Sequence, residues 1–176
     1  MIKIILGVSS SVSIYKSCEL ARLYVKNGYS VHTVMTENST QMISPVLFET
    51  ITGNPAYTDS FVRENRLMGH ISLKSNASVY VIAPATANII GKTANGIADD
   101  LLTTTFLSVS CPVIFAPAMN PEMWINQAVK DNISKLKSRG ALIIGPSAGT
   151  VVCGDEGTGK LADIIDIYNE TIKIIK

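Results

Sequence analysis

The sequence predicts an α/β fold, a three-layer Rossmann-like arrangement in which helices cover both faces of a mostly parallel sheet. Apolar runs of strand length recur along the chain, and most segments between them have the periodicity of amphipathic helices. Strands buried on both faces are continuously apolar, as these runs are. A length of 176 residues is enough to bury the core of one domain, so a single domain is expected over residues 1–176.

Five apolar runs are expected to form the strands of this sheet. They cover residues 2–8, 30–35, 79–83, 113–116 and 141–144. Turn-forming or helix-capping residues follow each of the first four runs. The alternation of such strands with helices is typical of a parallel sheet.

Helix signals separate these strands. A first helix is predicted over residues 13–27, with Ile14, Cys18, Ala21 and Val25 on its buried face. A second is predicted over residues 121–139, because Asn120 suits the N-cap and Pro121 the first helical position. The amphipathic tail from residue 161 is expected to be the last helix. Residues 57–78 and 145–160 fit neither pattern, and long irregular segments in compact domains are usually functional or disordered.

Composition argues against several classes of function. Fifteen basic and fourteen acidic residues give a formal net charge of +1 without a basic run, so nucleic acid is not an expected partner. The apolar N-terminal run is too short to span a membrane and has no processing site, which predicts a cytoplasmic protein without a membrane partner. Three cysteines and two histidines are scattered, which favours neither a disulfide framework nor a metal site.

Hydroxyl and amide side chains follow the first four strands. Ligands of open α/β sheets bind beyond the carboxyl ends of the strands, and hydroxyls with helix N-termini suit a phosphate. The residues are Ser9, Ser10 and Ser11, then Thr36, Ser39 and Thr40, then PATAN (84–88) and PAMN (117–120). Any one set could be ordinary turn and cap residues. The first turn lacks the G-x-G-x-x-G spacing of dinucleotide sites and GTGK (157–160) lacks that of a P-loop, so a mononucleotide is expected.

Five motifs extend this prediction over nearly the whole chain. They are GVSSSVSIYK (7–16), GHISL (69–73), APATANIIGKTANGIADDLLTT (83–104), PAMNPEMW (117–124) and CGDEGTGK (153–160). In this order they resemble the motifs of the homo-oligomeric flavin-containing cysteine decarboxylases. The most similar branch decarboxylates 4′-phosphopantothenoylcysteine to 4′-phosphopantetheine in coenzyme A biosynthesis. The resemblance implies one flavin-binding decarboxylase domain over residues 1–176, without the synthetase domain fused in many bacterial members.

The same resemblance implies FMN as the cofactor and a site completed between subunits of a trimer or an assembly of trimers. It implies oxidation of the substrate's cysteine moiety with the flavin as electron acceptor, loss of CO₂, and reduction of the resulting enethiol. A separate phosphopantothenoylcysteine synthetase is a candidate partner. The residues expected to contact FMN are Gly7, Ser9, Ser11, Thr36, Ser39, Ala85, Thr86, Asn88 and Thr103.

Two residues are expected to be catalytic. By itself, His70 would be interpreted as an ordinary, partly buried histidine, whereas its match to the GHI motif makes it the base or electrostatic helper beside the flavin. Cys153 lies in a glycine-rich polar segment that favours an exposed thiol. The resemblance makes Cys153 the residue that protonates the enethiol carbon.

Four residues are expected to bind the substrate. The resemblance makes Asn120 a donor to the substrate carboxylate, which is compatible with capping a helix, and it makes Met119 and Met123 walls of the pocket. By themselves the two methionines would be interpreted as core residues. Lys160 stands where the family usually has arginine, so a bidentate contact would become a point-charge contact.

Two other functions remain open from the sequence. A peptidyl-cysteine decarboxylase acting on a lantibiotic-type precursor would use the same flavin and histidine, but it stops at the enethiol and needs no reducing cysteine. A non-catalytic flavin-binding regulator would be indicated by loss of His70, Asn120 or Cys153, and all three are present. Flavin prenyltransferases share a related architecture, but the combination of PAMNPEMW with a downstream Cys-Gly pair speaks against them.

Overall fold

A parallel sheet of five strands is the centre of the computed structural model, which describes residues 1–58, 73–150, 154 and 156–175. The strands are β1 (Lys3–Val8), β2 (Ser30–Met35), β3 (Ala77–Ala85), β4 (Val113–Pro117) and β5 (Leu142–Ile143). Their order across the sheet is β2-β1-β3-β4-β5, and every neighbouring pair is parallel. The predicted α/β architecture is therefore confirmed, with all five predicted strands in the sheet.

Helices cover both faces of the sheet. They are α1 (Tyr15–Lys26), α2 (Glu37–Thr40), α3 (Pro45–Thr52), α4 (Ala87–Asn95), α5 (Leu101–Ser108), α6 (Pro121–Ile125), α7 (Gln127–Ser138) and α8 (Ile164–Ile175). Helices α1, α3 and α8 pack on one face, whereas α4, α5 and α7 pack on the other. None of the helices in the described ranges is long and apolar enough to cross a membrane.

Each face of the sheet has its own apolar core, because alternate residues of a strand point to opposite sides. The core against α1, α3 and α8 contains Ile4, Leu6, Leu20, Phe48 and Ile167. The core against α4, α5 and α7 contains Ile5, Tyr80, Ile89, Leu102 and Leu136. Burying a large apolar side chain contributes roughly 1.5–3 kcal/mol. These two cores hold the strand ends in fixed relative positions.

The first predicted helix is confirmed, but its buried face is rotated. A 3-10 turn over Val12–Ile14 precedes α1, and the chain leaves the helix at Gly28, whose φ is 83°. Cys18 and Val25 are only half-buried at the edge of the core. The buried positions of α1 are Ser17, Leu20, Ala21 and Tyr24. Tyr24 points toward α8, and its hydroxyl lies 2.7 Å from Thr171 Oγ1 on that helix.

The single helix predicted over residues 121–139 is wrong, because the chain forms two helices that meet at Asn126. This residue has a ψ of 133°, which is not helical, and its Oδ1 accepts the N–H of Ala128 at 3.0 Å. Its own N–H donates to the carbonyl of Met123 at 3.2 Å. Asparagine is among the best N-caps, so Asn126 starts α7 and leaves α6 as a five-residue helix directly after Asn120.

Residues 145–160, which lack any regular pattern in the sequence, contain an antiparallel hairpin. Its strands are β6 (Ser147–Thr150) and β7 (Glu156–Lys160), and Gly149 pairs with Gly157. The segments SAGT and EGTGK have no alternation of apolar and polar residues. Sequence periodicity therefore could not identify strands that lie outside the main sheet.

Candidate functional site

An open cleft of about 190 Å³ lies at the carboxyl ends of β1 and β3. From β1 the chain crosses to β2 on one side, and it then returns to β3 on the other side of β1. The strand order reverses at this point, which is where open α/β sheets bind ligands. The cleft is lined by Ser9, Ser10, Thr36, Glu37, Asn38, Thr86, Asn88, Ile89, Lys92, Asp99 and Asp100.

Ser9 joins the ends of the two strands that flank the cleft. Its hydroxyl donates to the carbonyl of Pro84 at 2.7 Å and accepts the N–H of Thr86 at 3.1 Å. The side chain is 1% exposed, so these bonds form away from water. Because the single hydroxyl proton of Ser9 is committed to Pro84, this side chain fixes the wall of the cleft rather than offering a proton to a ligand.

The N-terminus of α4 faces the cleft. Thr86 is its N-cap, and Thr86 Oγ1 accepts the N–H of Ile89 at 3.4 Å. The first-turn N–H groups of a helix have no intrahelical partner and carry partial positive charge. The exposed amide of Asn88 adds another donor in this first turn. This donor set, with the hydroxyls beside it, fits a phosphate group.

Lys92 forms the charged side of the cleft with two carboxylates. Its Nζ lies 2.8 Å from Asp99 Oδ1 and 3.5 Å from Asp100 Oδ2. The hydrogen bond to Asp99 is the main cause of a raised pKa of Lys92, and the same bond lowers the pKa of Asp99. Asp100 also caps α5 by accepting the N–H of Thr103 at 2.7 Å.

Sequence reasoning missed Lys92, Asp99 and Asp100. The capping box of α5, an Asp before Leu-Leu-Thr, was visible and could have identified Asp100 as a helix start. The ion pairs themselves depend on the turn at Gly96, whose φ of 71° ends α4 and returns the chain toward Lys92. Asp99 and Asp100 lie seven and eight residues after Lys92 but beyond the end of the helix, so the helix period does not predict that their carboxylates turn back to Lys92.

The structure brings four of the nine predicted cofactor residues to the cleft surface: Ser9, Thr36, Thr86 and Asn88. Three more are buried next to residues that line it. Ala85 directly precedes Thr86. Ser39 donates to the Thr36 carbonyl at 2.6 Å, and Thr103 donates to Asp100 Oδ1 at 2.8 Å. Ser11 caps the following 3-10 turn, and its Oγ lies 3.0 Å from that of Ser13. Ser11 is therefore outside the lining of this cleft.

Gly7, the ninth residue of that set, is a packing position in β1. A β-carbon here would lie 3.0 Å from both the ring and the hydroxyl of Tyr80 on β3. Tyr80 is fully buried, donates to the carbonyl of Leu102 at 3.0 Å, and has a pKa raised well above its ordinary value by burial. The need for glycine at position 7 therefore comes from the neighbouring strand.

Asn120 caps α6, as predicted. Its Oδ1 accepts the N–H of Glu122 at 2.8 Å, and Pro121 occupies the first turn. Because the cap uses the oxygen, the NH₂ is the part of this amide suited to donate to a carboxylate. Met119 is half-buried against the core, while Met123 is 47% exposed. The two methionines therefore differ in how much surface they offer to a ligand.

The hairpin lies directly against this turn. The N–H of Met119 donates to the carbonyl of Gly159 on β7 at 2.9 Å. Lys160, the next residue, is exposed and pairs with Ser147. The structure therefore brings the predicted substrate residues Met119, Asn120 and Lys160 to one side of the molecule through β7.

His70 and Cys153 lie outside the described residues, so their catalytic roles stay predictions. Across the described ranges, the His, Cys, Asp and Glu side chains form no group of three or more that could hold a metal ion. Among these ranges, Cys18 and Cys111 are free thiols, and burial raises the pKa of both.

The model of the Flavoprotein family matches residues 1–176 of this sequence. The chain belongs to this flavoprotein family. It is 44% identical over 161 residues to the coenzyme A biosynthesis bifunctional protein CoaBC of Bacillus subtilis, covering 91% of this chain and 40% of that protein. It is 38% identical over 165 residues to CoaBC of Mycolicibacterium smegmatis, covering 94% of this chain and 40% of that protein. The chain thus spans about 40% of the length of these curated relatives.

Solved structures agree with this membership. A PPC decarboxylase mutant complexed with pantothenoylaminoethenethiol superposes with a TM-score of 0.88 at 30% identity, over 98% of this chain and 97% of that chain. The FMN-dependent cysteine decarboxylase SpaF superposes with a TM-score of 0.85 at 32% identity, over 100% of this chain and 98% of that chain. The predicted similarity to flavin-containing cysteine decarboxylases and the Rossmann-like fold are confirmed.

Proposed function

We propose that this chain is an FMN-dependent decarboxylase that converts 4′-phosphopantothenoylcysteine to 4′-phosphopantetheine and CO₂ in coenzyme A biosynthesis. The observation that carries the proposal is the likeness in fold and sequence to a PPC decarboxylase over nearly the full length of both chains. Relatives named for coenzyme A biosynthesis support the same pathway. The cleft at the β1/β3 reversal supports a bound mononucleotide.

The residues around the cleft fit FMN in their chemistry. Thr36, Thr86 and Asn88 offer hydroxyl and amide groups, and the first turn of α4 offers backbone N–H groups to a phosphate. Ser9 holds the two strand ends together beneath them. When bound, FMN would supply the two-electron redox chemistry of the reaction.

Asn120 is the residue that would hold the substrate carboxylate. A neutral amide orients a carboxylate through a hydrogen bond, whereas a cation would add Coulombic attraction to that bond. Stabilising the carboxylate in the ground state would oppose its departure as CO₂, because only interactions that strengthen in the transition state lower the barrier. A neutral donor is therefore the better choice at this position, and the cap to Glu122 fixes its orientation.

The remaining roles rest on the sequence resemblance. His70 is the base or electrostatic helper in the oxidation, and Cys153 donates the proton needed when the enethiol is reduced. Met119 and Met123 bound the pocket, and Lys160 contributes positive charge at the end of β7. A cysteine thiol is acidic enough to deliver a proton near neutral pH, unlike a serine hydroxyl.

The proposal includes a trimer, or an assembly of trimers, in the cytoplasm, with a separate synthetase as partner. Apolar side chains that are more than half exposed next to Ser11, namely Val12 and Tyr15, support a subunit contact beside the cleft. Mass from light scattering tests the assembly, and a monomer with full activity would refute it.

One assay tests the proposed function. Purified protein is incubated with 4′-phosphopantothenoylcysteine, and bound flavin, CO₂ and product mass are measured. We expect FMN in the protein and 4′-phosphopantetheine as product. A peptide ending in cysteine serves as the comparison substrate, because SpaF is a cysteine decarboxylase of the same fold. Turnover of the peptide alone would favour a peptidyl-cysteine decarboxylase, and bound FMN without any turnover would favour a regulator.

A further inference from the structure

The turn that carries Asn120 is held by backbone hydrogen bonds on two sides. The N–H of Ala118 donates to the carbonyl of Ala85 on β3 at 3.0 Å. The N–H of Met119 donates to the carbonyl of Gly159 on β7 at 2.9 Å. The first bond ties the turn to the cofactor side of the sheet, because Ala85 precedes the cap of α4. The second ties the turn to the hairpin.

Gly159 has no room for a side chain. A β-carbon at this position would overlap the carbonyl oxygen of Met119, and it would lie 3.1 Å from the nitrogen of Pro121 and 3.3 Å from the carbonyl carbon of Asn120. All three neighbours are backbone atoms, so no flexible side chain could move aside. Gly159 itself is buried.

The need for glycine at this position is one of space and not of conformation. The glycines with positive φ include Gly149, Gly154 and Gly157, but Gly159 is not among them. Alanine could therefore adopt the backbone angles of residue 159 without strain. Any effect of such a substitution would come from the displaced turn.

We propose that Gly159 is a positioning residue for the substrate, because its missing side chain lets β7 lie against residues 119–121 and sets the position of the Asn120 amide. This inference rests on the proposed function, in which Asn120 holds the substrate carboxylate. A β-carbon forces β7 and the turn apart, and a displacement of about 1 Å in a positioning group can cost on the order of 100-fold in rate.

The cofactor cleft provides an internal reference for this effect. The described residues that line it come from the ends of β1, β2 and β3, from α2 and α4 and from the turn before α5, with none from β7. FMN affinity should therefore be unchanged when β7 is displaced. A general loss of folding would instead weaken FMN binding and substrate turnover together.

The test compares Gly159→Ala with Gly91→Ala in the purified, FMN-loaded protein. Gly91 lies in α4, and a β-carbon there would meet only Asn132 Nδ2 at 3.7 Å, an ordinary contact. We expect the dissociation constant of FMN to be the same in wild type and both variants. The kcat/KM for the substrate should fall about 10- to 100-fold in Gly159→Ala, mainly through a higher KM, and stay at the wild-type value in Gly91→Ala.

Three outcomes separate this inference from the proposed function. Wild-type kcat/KM in a folded Gly159→Ala variant would overturn the inference and leave the function standing. If neither wild type nor Gly91→Ala turns the substrate over, the proposed function is refuted, and the inference with it. If Gly159→Ala does not fold, Gly157→Ala carries the test, because its β-carbon would meet the ring of Pro121 at 2.8 Å; Gly149→Ala is its control, because residue 149 also has a positive φ but its β-carbon would meet only Lys160 at 3.8 Å. The same selective rise in KM is expected in Gly157→Ala, and unchanged kinetics would overturn the inference.

Discussion

The cofactor cleft and the Asn120 turn are built by different kinds of contact. Side-chain bonds between distant strands form the cleft, as when the Ser9 hydroxyl joins Pro84 and Thr86 across 75 and 77 residues of chain. Backbone contacts form the Asn120 turn, where Met119 meets Gly159 without any side chain between them. The cleft therefore depends on which side chains are present, and the turn on where side chains are absent.

Asn120→Asp is expected to give the largest effect, because it changes the side chain that is proposed to hold the substrate carboxylate. Aspartate keeps the oxygen that caps Glu122, so α6 should stay intact. It also places a negative charge against the substrate carboxylate, at a cost of roughly 4 kcal/mol for charges about 4 Å apart near a protein surface. Turnover should fall at least about 1000-fold while FMN stays bound. Steady-state kinetics and flavin absorbance measure both, and an active variant would remove Asn120 from the substrate site.

Cys153→Ser should change the product and spare the first half of the reaction. Serine is a far weaker acid than cysteine, so the variant should oxidise and decarboxylate but fail to reduce the enethiol. The accumulated product should be lighter than 4′-phosphopantetheine by about two mass units, for the two missing hydrogens. Mass spectrometry of the products decides the outcome. Normal product formed at an undiminished rate would show that Cys153 takes no part in the mechanism.

Gly7→Ala tests a position on the cofactor side that, like Gly159, has no room for a side chain. The added methyl would press on Tyr80, and overpacking of this kind costs about 1–3 kcal/mol of folding stability. Urea unfolding should show the loss. Tyr80→Leu should destabilise the Gly7→Ala variant less than it destabilises wild type, because it also relieves the contact with the added methyl. Equal effects of Tyr80→Leu in the two backgrounds would contradict the packing explanation.

Ser9→Ala should loosen the cleft by removing the buried hydrogen bond to Pro84 and the partly buried hydrogen bond from Thr86. The carbonyl of Pro84 and the N–H of Thr86 would lose their partner, at a cost of about 1–3 kcal/mol. FMN affinity should fall in parallel, since Thr86 caps α4, the helix whose first turn is proposed to hold the FMN phosphate. Ser138→Ala is the matched control, because its hydroxyl donates to Lys135 on an exposed surface. Equal effects of the two variants on FMN binding would contradict this role.

Lys92→Gln should give the smallest change in stability, because its ion pairs are partly exposed and pairs open to solvent contribute at most about 1 kcal/mol. The substitution should instead change the charge at the surface of the cleft. Without Lys92, the carboxylates of Asp99 and Asp100 would repel a phosphate, so FMN affinity should fall several-fold and riboflavin affinity should not. Flavin fluorescence titrations at low and high salt measure this, and equal losses for both flavins would point to a structural effect.

Predictions from the sequence succeeded where the signal was local. Apolar runs placed all five strands, and the order Asn-Pro placed the cap and first turn of α6. The same local rules failed at Asn126, which was assigned to a helix interior although its side chain starts a new helix. A cap and an interior position differ only in the backbone angles of that residue. At Asn126 these angles are decided by how α6 and α7 pack, which the local sequence does not show.

The sequence by itself determined the fold class, the family and the set of residues to inspect, because these follow from hydrophobic periodicity and from motifs that are contiguous along the chain. Tertiary structure alone decided which of those residues meet. It places Gly7 against Tyr80, pairs Lys92 with Asp99 through the turn at Gly96, and packs β7 against the turn of Asn120. No local sequence pattern predicts these contacts, because close packing in three dimensions decides which residues meet.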